Sequence, residues 1–278
     1  MDTIQWFPGH MAQAKKSIAK ALKSVDLVVE VLDARMPPAS ANPLVEELRL
    51  TRQRPVLKVL NKSDLADPAV TKSWLQSFRA QDNLFAVEVC SKHKSDVRNL
   101  IREARKQVPH RSDAIKPLRM MVMGVPNVGK STLLNAILGR SVAKAADEPA
   151  VTRSVSRYDL DEKTIIYDSP GLMWSKLDSQ ENGYALAVNN AIGVNAYVPE
   201  EVAVFLAEKL RLFYANRIFD RYGFDSSNLD ANDILQKIGN IRGARIKGDE
   251  IDLERSANIL LTDYRKGKLG RITIQVPN

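Results

Sequence analysis

The stretch that decides the fold is GVPNVGKS (residues 124–131), which matches the phosphate-loop pattern G-x-x-x-x-G-K-[S/T]. An apolar run at 118–123 precedes it, and a helical pattern at 132–138 follows it. Glycines let the backbone wrap closely around a phosphate, so its N–H groups point at the anion, and the helix N-terminus adds partial positive charge. The sequence therefore predicts a strand, a phosphate-binding loop and a helix, in that order.

Residues of this loop have separate expected tasks. Lys130 is expected to reach the β- and γ-phosphates, and the Ser131 hydroxyl is expected to ligate Mg²⁺. Asn127 is also a candidate ligand for a monovalent cation beside the phosphates; the alternative is an ordinary loop residue. The residues expected to contact the nucleotide here are Asn127, Val128, Gly129, Lys130, Ser131 and Thr132.

A motif that reads the base lies on the N-terminal side of this loop. NKSD (residues 61–64) follows the apolar run 56–60 and matches N-K-x-D, the guanine signature of GTPases. The Asp64 carboxylate is able to accept hydrogen bonds from the ring N1–H and the exocyclic amine of guanine, a pair that adenine does not offer. Each such charge-assisted bond contributes about 1.5–3 kcal/mol. Asn61 is expected to contact the Hoogsteen edge of the base, and the Lys62 stem to lie over its plane.

The order of these motifs is unusual. In ordinary GTPases the base reader follows the phosphate loop, whereas here it precedes it. A parallel sheet and its site depend on spatial rather than sequential adjacency, so they survive such a circular permutation. A second base-contacting loop is expected at Ser91, after the apolar run 84–89, although Lys92 stands where alanine is usual.

Contacts to the metal ion and the γ-phosphate are expected after the phosphate loop. DSPG (residues 168–171) follows the apolar run 164–167 and matches D-x-x-G. Asp168 is therefore expected to hold Mg²⁺ through water, and the Gly171 N–H to touch the γ-phosphate. Thr152, between the two motifs, is the candidate that closes onto Mg²⁺ in the GTP state.

No glutamine follows D-x-x-G to orient the attacking water, because Leu172 stands there. Leucine forms no hydrogen bond to water, so either hydrolysis is very slow or another group does this work. His10, in the stretch WFPGHM (residues 6–11), is the first candidate, since an imidazole is able to orient water at neutral pH. The alternative is a surface or capping histidine. The candidate catalytic residues are His10, Lys130, Thr152 and Gly171.

Alternating apolar runs and helical patterns predict an α/β fold with a doubly wound, mostly parallel sheet. Beyond about residue 175 the strand signal fades and helical stretches follow, before a short β-like tail at 272–276. We predict a permuted P-loop GTPase domain at residues 1–175 and a smaller, mainly helical domain at 176–278. The expected strands are 27–32, 56–60, 84–89, 118–123, 154–160 and 164–167, and the expected helices of the second domain are 180–192, 199–222, 230–240 and 250–266.

Composition and charge narrow the class of protein. The 278 residues are 44% hydrophobic and 27% charged, which is typical of a globular protein. The 41 Lys and Arg exceed the 33 Asp and Glu, and the net charge of +8 fits either a nucleic-acid-binding protein or a plain basic surface. The single cysteine, Cys90, excludes an intramolecular disulfide. Neither a membrane-spanning run nor a secretory signal is evident, so we expect a cytoplasmic protein.

Together these motifs resemble the circularly permuted GTPases, and most closely the ribosome biogenesis GTPase A (YlqF-type) family. The resemblance covers most of the chain, and the permuted motif order makes it specific. It rests on the WFPGHM, NKSD, GVPNVGKS and DSPG motifs, together with Asp33-Ala34-Arg35 and the closing Lys268-Leu269-Gly270-Arg271.

The resemblance implies a GTPase that binds GTP or GDP with Mg²⁺ and helps to mature the large ribosomal subunit. It further implies that His10 is the catalytic histidine and that useful turnover depends on the ribosomal particle and on K⁺. We expect a monomer that binds the large subunit and its rRNA, associates with no membrane, and leaves when GTP is hydrolysed. Two alternatives stay open: a GTP-sensing module with negligible turnover, and a GTPase that acts on another RNA. The basic residues expected to contact RNA phosphates are Arg242, Arg245, Lys247, Arg265, Lys266, Lys268 and Arg271.

Overall fold

The computed structural model describes most of the chain. The described residues are 10–52, 55–111, 113–142, 155–171, 173 and 179–277, with the backbone alone described for 10–15 and 48–52. Within these ranges, no helix has both the length and the apolar character that crossing a membrane requires.

A single sheet lies at the centre of the first part of the chain. Its strands are β1 Leu27–Asp33, β2 Val56–Asn61, β3 Leu84–Val89, β4 Leu118–Met123, β5 Ser156–Asp161 and β6 Thr164–Asp168. Their order is β3-β2-β1-β4-β6-β5, and all neighbours are parallel except β5, which runs antiparallel to β6. The predicted α/β class with a mostly parallel sheet is confirmed, and each expected strand of the sheet is present.

The central strands are buried on both faces. Every residue of β1 and β2 is buried, and both are mostly valine and leucine. Continuous apolar runs of this kind are typical of parallel strands that have helices on either side. Two of the charged residues within them, Glu30 and Lys58, face each other across the ladder as an ion pair of 2.6 Å. Strand β5 instead alternates half-buried and exposed residues, which fits its position at the sheet edge.

Helices lie in the connections between the parallel strands, whereas β5 and β6 are joined by a tight turn, and local sequence sets the ends of the helices. The Asp67 side chain caps one of them by accepting from the N–H groups of Ala69 and Val70, and Pro68 takes the first helical position. The helix after the phosphate loop ends at Gly139, whose φ of 66° lies in the left-handed region. The described helices of this part are α1 His10–Ala21, α2 Pro37–Ser40, α3 Pro43–Arg52, α4 Pro68–Arg79, α5 Lys94–Gln107 and α6 Lys130–Leu138.

The second part of the described chain is helical, as predicted. Its helices are α7 Gln180–Val188, α8 Pro199–Phe213, α9 Ala215–Tyr222, α10 Ala231–Arg242 and α11 Leu253–Arg265. The expected single helix at 199–222 is two helices, because the backbone leaves the helical region at Tyr214 (φ −143°, ψ 36°). There the Tyr214 hydroxyl hydrogen-bonds to Asp67 and Thr273. The domain boundary at 175/176 stays a prediction.

The segment after α11 returns to the sheet part of the molecule. The Ile272 N–H donates to Leu65 O at 2.9 Å, and the Ile274 N–H donates to Arg35 O at 2.8 Å. The β-like tail expected at 272–276 does not join the described sheet, because these N–H groups bond to two separate loops rather than to one neighbouring strand. The last part of the expected helical domain thus lies against the expected GTPase domain.

Candidate active site

The sequence motifs meet at one edge of the sheet, where the parallel strands end. The phosphate loop follows β4, the NKSD loop follows β2, Ser91 follows β3, and Asp168 is the last residue of β6. In open α/β sheets this carboxyl edge is the usual place for ligands. Motifs that are far apart in sequence thus become neighbours.

Close packing requires glycine at two positions of the phosphate loop. A Cβ on Gly124 would lie 2.7 Å from the Val31 carbonyl oxygen, so only glycine lets the loop begin against β1. Gly129 has a φ of 89°, and a Cβ there would collide with the Asn61 side-chain amide. Asn127 also has a positive φ, 61°. The backbone therefore curls just ahead of α6, whose first N–H groups have no partner within the helix and suit an anion.

Lys130 and Asp168 form an ion pair beside this loop. Lys130 Nζ lies 2.9 Å from Asp168 Oδ1, and both side chains are buried. Gly171 also borders the phosphate loop, since a Cβ there would be 3.3 Å from the Pro126 ring. The D-x-x-G segment is thus next to the loop that is expected to hold the phosphates.

The donor atoms around this pair suit Mg²⁺. The Ser131 hydroxyl and the Asp168 carboxylate are oxygen ligands of the kind that Mg²⁺ takes together with nucleotide phosphates. Ser131 and Thr132 lie in the first turn of α6, half-buried and exposed respectively. Thr152, the third expected ligand, lies outside the described residues.

The NKSD loop packs directly on the phosphate loop. Asn61 Nδ2 donates to Val128 O at 2.8 Å, and Lys62 Nζ donates to Asn127 O at 2.5 Å. Ser91 Oγ in turn donates to Asn61 Oδ1 at 2.8 Å. Asn61 therefore joins three loops through the two ends of its amide, and the base-reading motif has a fixed position relative to the phosphate motif.

Asp64, the expected guanine reader, pairs with Lys92. Lys92 Nζ lies 2.8 Å from Asp64 Oδ2, and 26% of the Asp64 side chain is exposed. Burial raises the pKa of Asp64, but the hydrogen bond and the charge of Lys92 outweigh it, so the pKa lies below its usual value. The carboxylate is therefore ionised at neutral pH, as acceptance of two hydrogen bonds from guanine requires.

Behind the NKSD loop lies a buried ion-pair network to which the sequence motifs assign no role. Asp33 Oδ2 lies 2.9 Å from Lys62 Nζ, and the Arg35 guanidinium donates two hydrogen bonds of 2.8 and 2.9 Å to the same carboxylate. Burial raises the pKa of Asp33, but the charges of Arg35 and Lys62 hold it well below its usual range. The available sequence signal is a pair of opposite charges at the end of an apolar strand.

Asn127 points towards the helical part of the molecule. Its Nδ2 donates to Asn190 O at 2.5 Å, just after α7. The phosphate loop is thus hydrogen-bonded to the chain that follows the D-x-x-G segment. A monovalent cation would need the side-chain oxygen of Asn127, and that role stays a prediction.

Two candidate residues, His10 and Thr152, have no described side chain, and Leu172, which stands at the usual glutamine position, is not described either. His10 is the first residue of α1, where the backbone alone is described. Thr152 and Leu172 lie outside the described residues. Their expected parts in Mg²⁺ closure and in the positioning of water stay predictions.

Several basic side chains that were expected to contact RNA bind groups within the chain. Arg265 donates to backbone carbonyls at the end of α7, and Arg271 donates to the carbonyls of Ser63 and Ala66. Arg245 and Lys268 form ion pairs with nearby carboxylates, whereas Lys247 and Lys266 are exposed. Arg265 and Arg271 are therefore structural contacts in this fold, and the sequence gives no sign of that because their partners are distant backbone atoms.

Comparison with known proteins agrees with these motifs. A family model described as 50S ribosome-binding GTPase matches residues 119–217. The chain is 33% identical to Ribosome biogenesis GTPase A of Priestia megaterium, over 99% of this chain and 98% of that protein. It is 29% identical to the protein of the same name from Thermotoga maritima, with coverage of 99% and 95%. It is also 30% identical to Mitochondrial ribosome-associated GTPase 1 of Xenopus tropicalis, with coverage of 98% and 94%.

Solved structures share the fold over nearly the whole chain. GNP-bound YlqF from T. maritima superposes with a TM-score of 0.67 at 25% identity, covering 96% of this chain and 99% of that one. A GDP-bound YlqF gives the same TM-score and identity, with coverage of 94% and 98%.

Proposed function

Because the chain belongs to the ribosome biogenesis GTPase A family, and is a GTP-hydrolysing enzyme, we propose that it is an assembly factor for the large ribosomal subunit. The names of its relatives refer to ribosome biogenesis, and the matching family model is described as 50S ribosome-binding. In this proposal the GTP-bound protein docks on a pre-ribosomal particle, and GTP hydrolysis drives its release.

The observation that carries the proposal is the contact between the NKSD loop and the phosphate loop. The hydrogen bond from Asn61 Nδ2 to Val128 O joins motifs whose order in the sequence is the reverse of that in ordinary GTPases. This contact supports the assignment of both motifs to one bound guanine nucleotide.

Binding of the nucleotide uses the charged pairs of the site. Asp64 accepts two hydrogen bonds from guanine and gives up its ion pair with Lys92. Lys130 exchanges the Asp168 carboxylate for the β- and γ-phosphates, and the N–H groups of residues 127–132 donate to phosphate oxygens. Asn61, Lys62 and Ser91 hold the base-reading loop, and Asn61 contacts the base.

Hydrolysis uses the groups around the γ-phosphate. Ser131, Thr152 and Asp168 would hold Mg²⁺, which would supply positive charge to the phosphates. The Gly171 N–H donates to the γ-phosphate, and His10 orients the attacking water because Leu172 is unable to. A K⁺ ion, if held by the Asn127 side-chain oxygen, would add positive charge beside the phosphates.

The helical part is the proposed rRNA-binding domain, at residues 176–278. The exposed Lys247 and Lys266 are its best-placed phosphate contacts, because the other five basic side chains already bind groups within the chain. We also propose a cytoplasmic location. We propose a monomeric state because the pre-ribosomal particle, rather than a second copy of the chain, is the proposed partner.

Sedimentation with purified large ribosomal subunits tests this proposal. More protein should sediment with subunits in the presence of the GTP analogue GNP than in the presence of GDP, because hydrolysis of GTP is the proposed release step. Lys130→Ala should remove that difference, since the variant loses its contact with the phosphates. Equal sedimentation of the unaltered protein in both nucleotides would contradict hydrolysis-driven release.

A further inference from the structure

The C-terminal segment (residues 267–275) runs along the back of the chain that carries the base reader. Arg271 donates to Ala66 O at 2.8 Å through Nε and to Ser63 O at 2.9 Å through its terminal nitrogen. The next residue, Ile272, donates its N–H to Leu65 O at 2.9 Å. The C-terminal segment therefore donates hydrogen bonds to three backbone carbonyls around Asp64. One belongs to Ser63, just before Asp64, and two belong to Leu65 and Ala66, just after it.

One further bond extends this contact, and the packing around it is close. The Asp67 N–H donates to Thr273 Oγ1 at 3.0 Å. Gly267 has a φ of 70°, and a Cβ there would lie 2.6 Å from the Leu65 side chain. Ile272 and Thr273 are buried. The residues after the base reader thus have their shape set by a segment more than 200 positions away in the sequence, as the separations of 205 and 208 show.

A second route links the same segment to Lys62. The Ile274 N–H donates to Arg35 O, and the Arg35 guanidinium lies over the Tyr264 ring of α11 at 4.8 Å. Arg35 binds Asp33, which pairs with Lys62. Both ends of the NKSD loop are therefore held from the helical part of the molecule.

Such bracing matters because guanine recognition depends on geometry. A carboxylate that accepts two hydrogen bonds needs a fixed orientation, and a loop that must be ordered on binding loses affinity through conformational entropy. The C-terminal segment binds one carbonyl within the NKSD loop, that of Ser63, and the next two after it, those of Leu65 and Ala66, so the loop is already ordered before the nucleotide binds.

We propose that Arg271 is a positioning residue for guanine recognition, through which the C-terminal segment holds the base-reading loop in its binding conformation. The inference rests on the proposed role of Asp64. It also has a thermodynamic consequence: a partner that shifts the C-terminal segment changes nucleotide affinity, and the nucleotide changes the affinity for that partner by the same factor.

Binding of GTP and ITP to full-length Arg271→Ala tests the proposal. ITP lacks the exocyclic amine, so the ratio of the two affinities reports on Asp64 geometry. The Kd for GTP should rise about tenfold, because two hydrogen bonds to the loop are lost, and the preference for GTP over ITP should fall. The maximal rate at saturating GTP should be unchanged. Arg271→Lys keeps the charge but is unable to donate from two nitrogens as the guanidinium does. Its Kd for GTP should lie between that of the unaltered protein and that of Arg271→Ala.

Matched variants separate this role from others. Arg255→Ala removes an exposed arginine in the first turn of α11 and should leave both affinities unchanged. A folded Arg271→Ala with an unchanged ratio of GTP to ITP affinity overturns the proposal, even if it binds subunits less well. If Arg271→Ala does not fold, the same readout on Arg271→Lys decides. The role of Asp64, on which the inference rests, is tested separately, since Asp64→Asn should lose GTP affinity and gain affinity for xanthosine triphosphate. The proposed function fails on its own ground if the unaltered protein sediments equally with subunits in GNP and in GDP.

Discussion

At the scale of single residues, the charged groups of the site are already paired with one another. Asp64 pairs with Lys92 across two loops, and Lys130 pairs with Asp168 within the phosphate site. In the proposed function guanine and phosphate need the same groups, so we expect nucleotide binding to exchange one charged partner for another. For the buried pair of Lys130 and Asp168, a full exchange matters most, because an unpaired buried charge is strongly unfavourable.

Replacement of Lys92 by alanine should strengthen guanine-nucleotide binding. The variant frees Asp64 from a competing cation. Because the Lys92 side chain is largely exposed, the gain is small. The Kd for GDP at low salt should be two- to fivefold lower, which corresponds to a gain in binding free energy of up to about 1 kcal/mol. Titration calorimetry at low and high salt measures it, and the gain should shrink as salt screens the pair.

Lys94→Ala is the matched control, because Lys94 is an exposed lysine two residues further along. It should leave the Kd unchanged. Weaker binding by Lys92→Ala would instead mean that Lys92 contacts the nucleotide.

The sequence was sufficient to nominate some candidate site residues, because the chemistry of the expected ligand dictates their type. Guanine needs a carboxylate such as Asp64, and phosphate needs a flexible glycine loop with a lysine such as Lys130, so both leave a readable pattern. Asp33 and Arg271 act through tertiary contacts instead. The stretches that contain them are recognisable in the sequence, but their partners, Lys62 and the Ser63 carbonyl, are fixed only once the chain has folded.

At the scale of elements, the site is a set of loops whose mutual contacts need particular backbone shapes. The phosphate loop meets the NKSD loop at Gly129, where a positive φ and the nearby Asn61 amide both exclude a side chain. Strands β2 and β4 are separated by β1 in the sheet, so these loops reach each other across the end of β1. Asn61 bridges that gap, with a hydrogen bond to Val128 O.

Gly129→Ala should lose guanine-nucleotide affinity by about a hundredfold. The new Cβ strains a left-handed residue and pushes the NKSD loop away, and strain of this kind costs about 1–3 kcal/mol before the lost contacts are added. Equilibrium binding of a fluorescent GDP analogue measures the effect.

Gly139→Ala is the control for the backbone strain alone. Gly139 also has a positive φ, 66°, but a Cβ there meets no atom within 4 Å. This variant should be slightly less stable yet bind nucleotide normally. Similar losses of affinity in both variants would contradict the steric role of Gly129.

At the scale of the whole molecule, the permuted order brings the helical part into contact with both halves of the site. The phosphate loop is bonded to the start of that part through Asn127 and Asn190, and the NKSD loop is bonded to its end through Arg271. The loops that are expected to hold the nucleotide are therefore hydrogen-bonded to the helical part. We expect a shift of the helical part to change nucleotide binding, and nucleotide binding to change the position of the helical part.

The sequence predicted the sheet and the helices well, but it did not predict the contacts between the C-terminal tail and the loops of the site. Hydrophobic runs set the strands and their burial, so the sheet followed from the pattern. The tail at 272–276 has alternating residues that resemble a strand, yet Ile272 and Ile274 bond to different loops. Where a segment docks depends on the assembled surface, which local periodicity does not encode.

The most direct test of the central claim is GTP turnover by the purified protein, with and without large ribosomal subunits, in potassium and in sodium buffer. We expect slow turnover alone, and stimulation by subunits of about tenfold or more in potassium, because Leu172 leaves the protein without the usual water-orienting glutamine. An equal rate with and without subunits in both buffers would contradict a ribosome-activated GTPase.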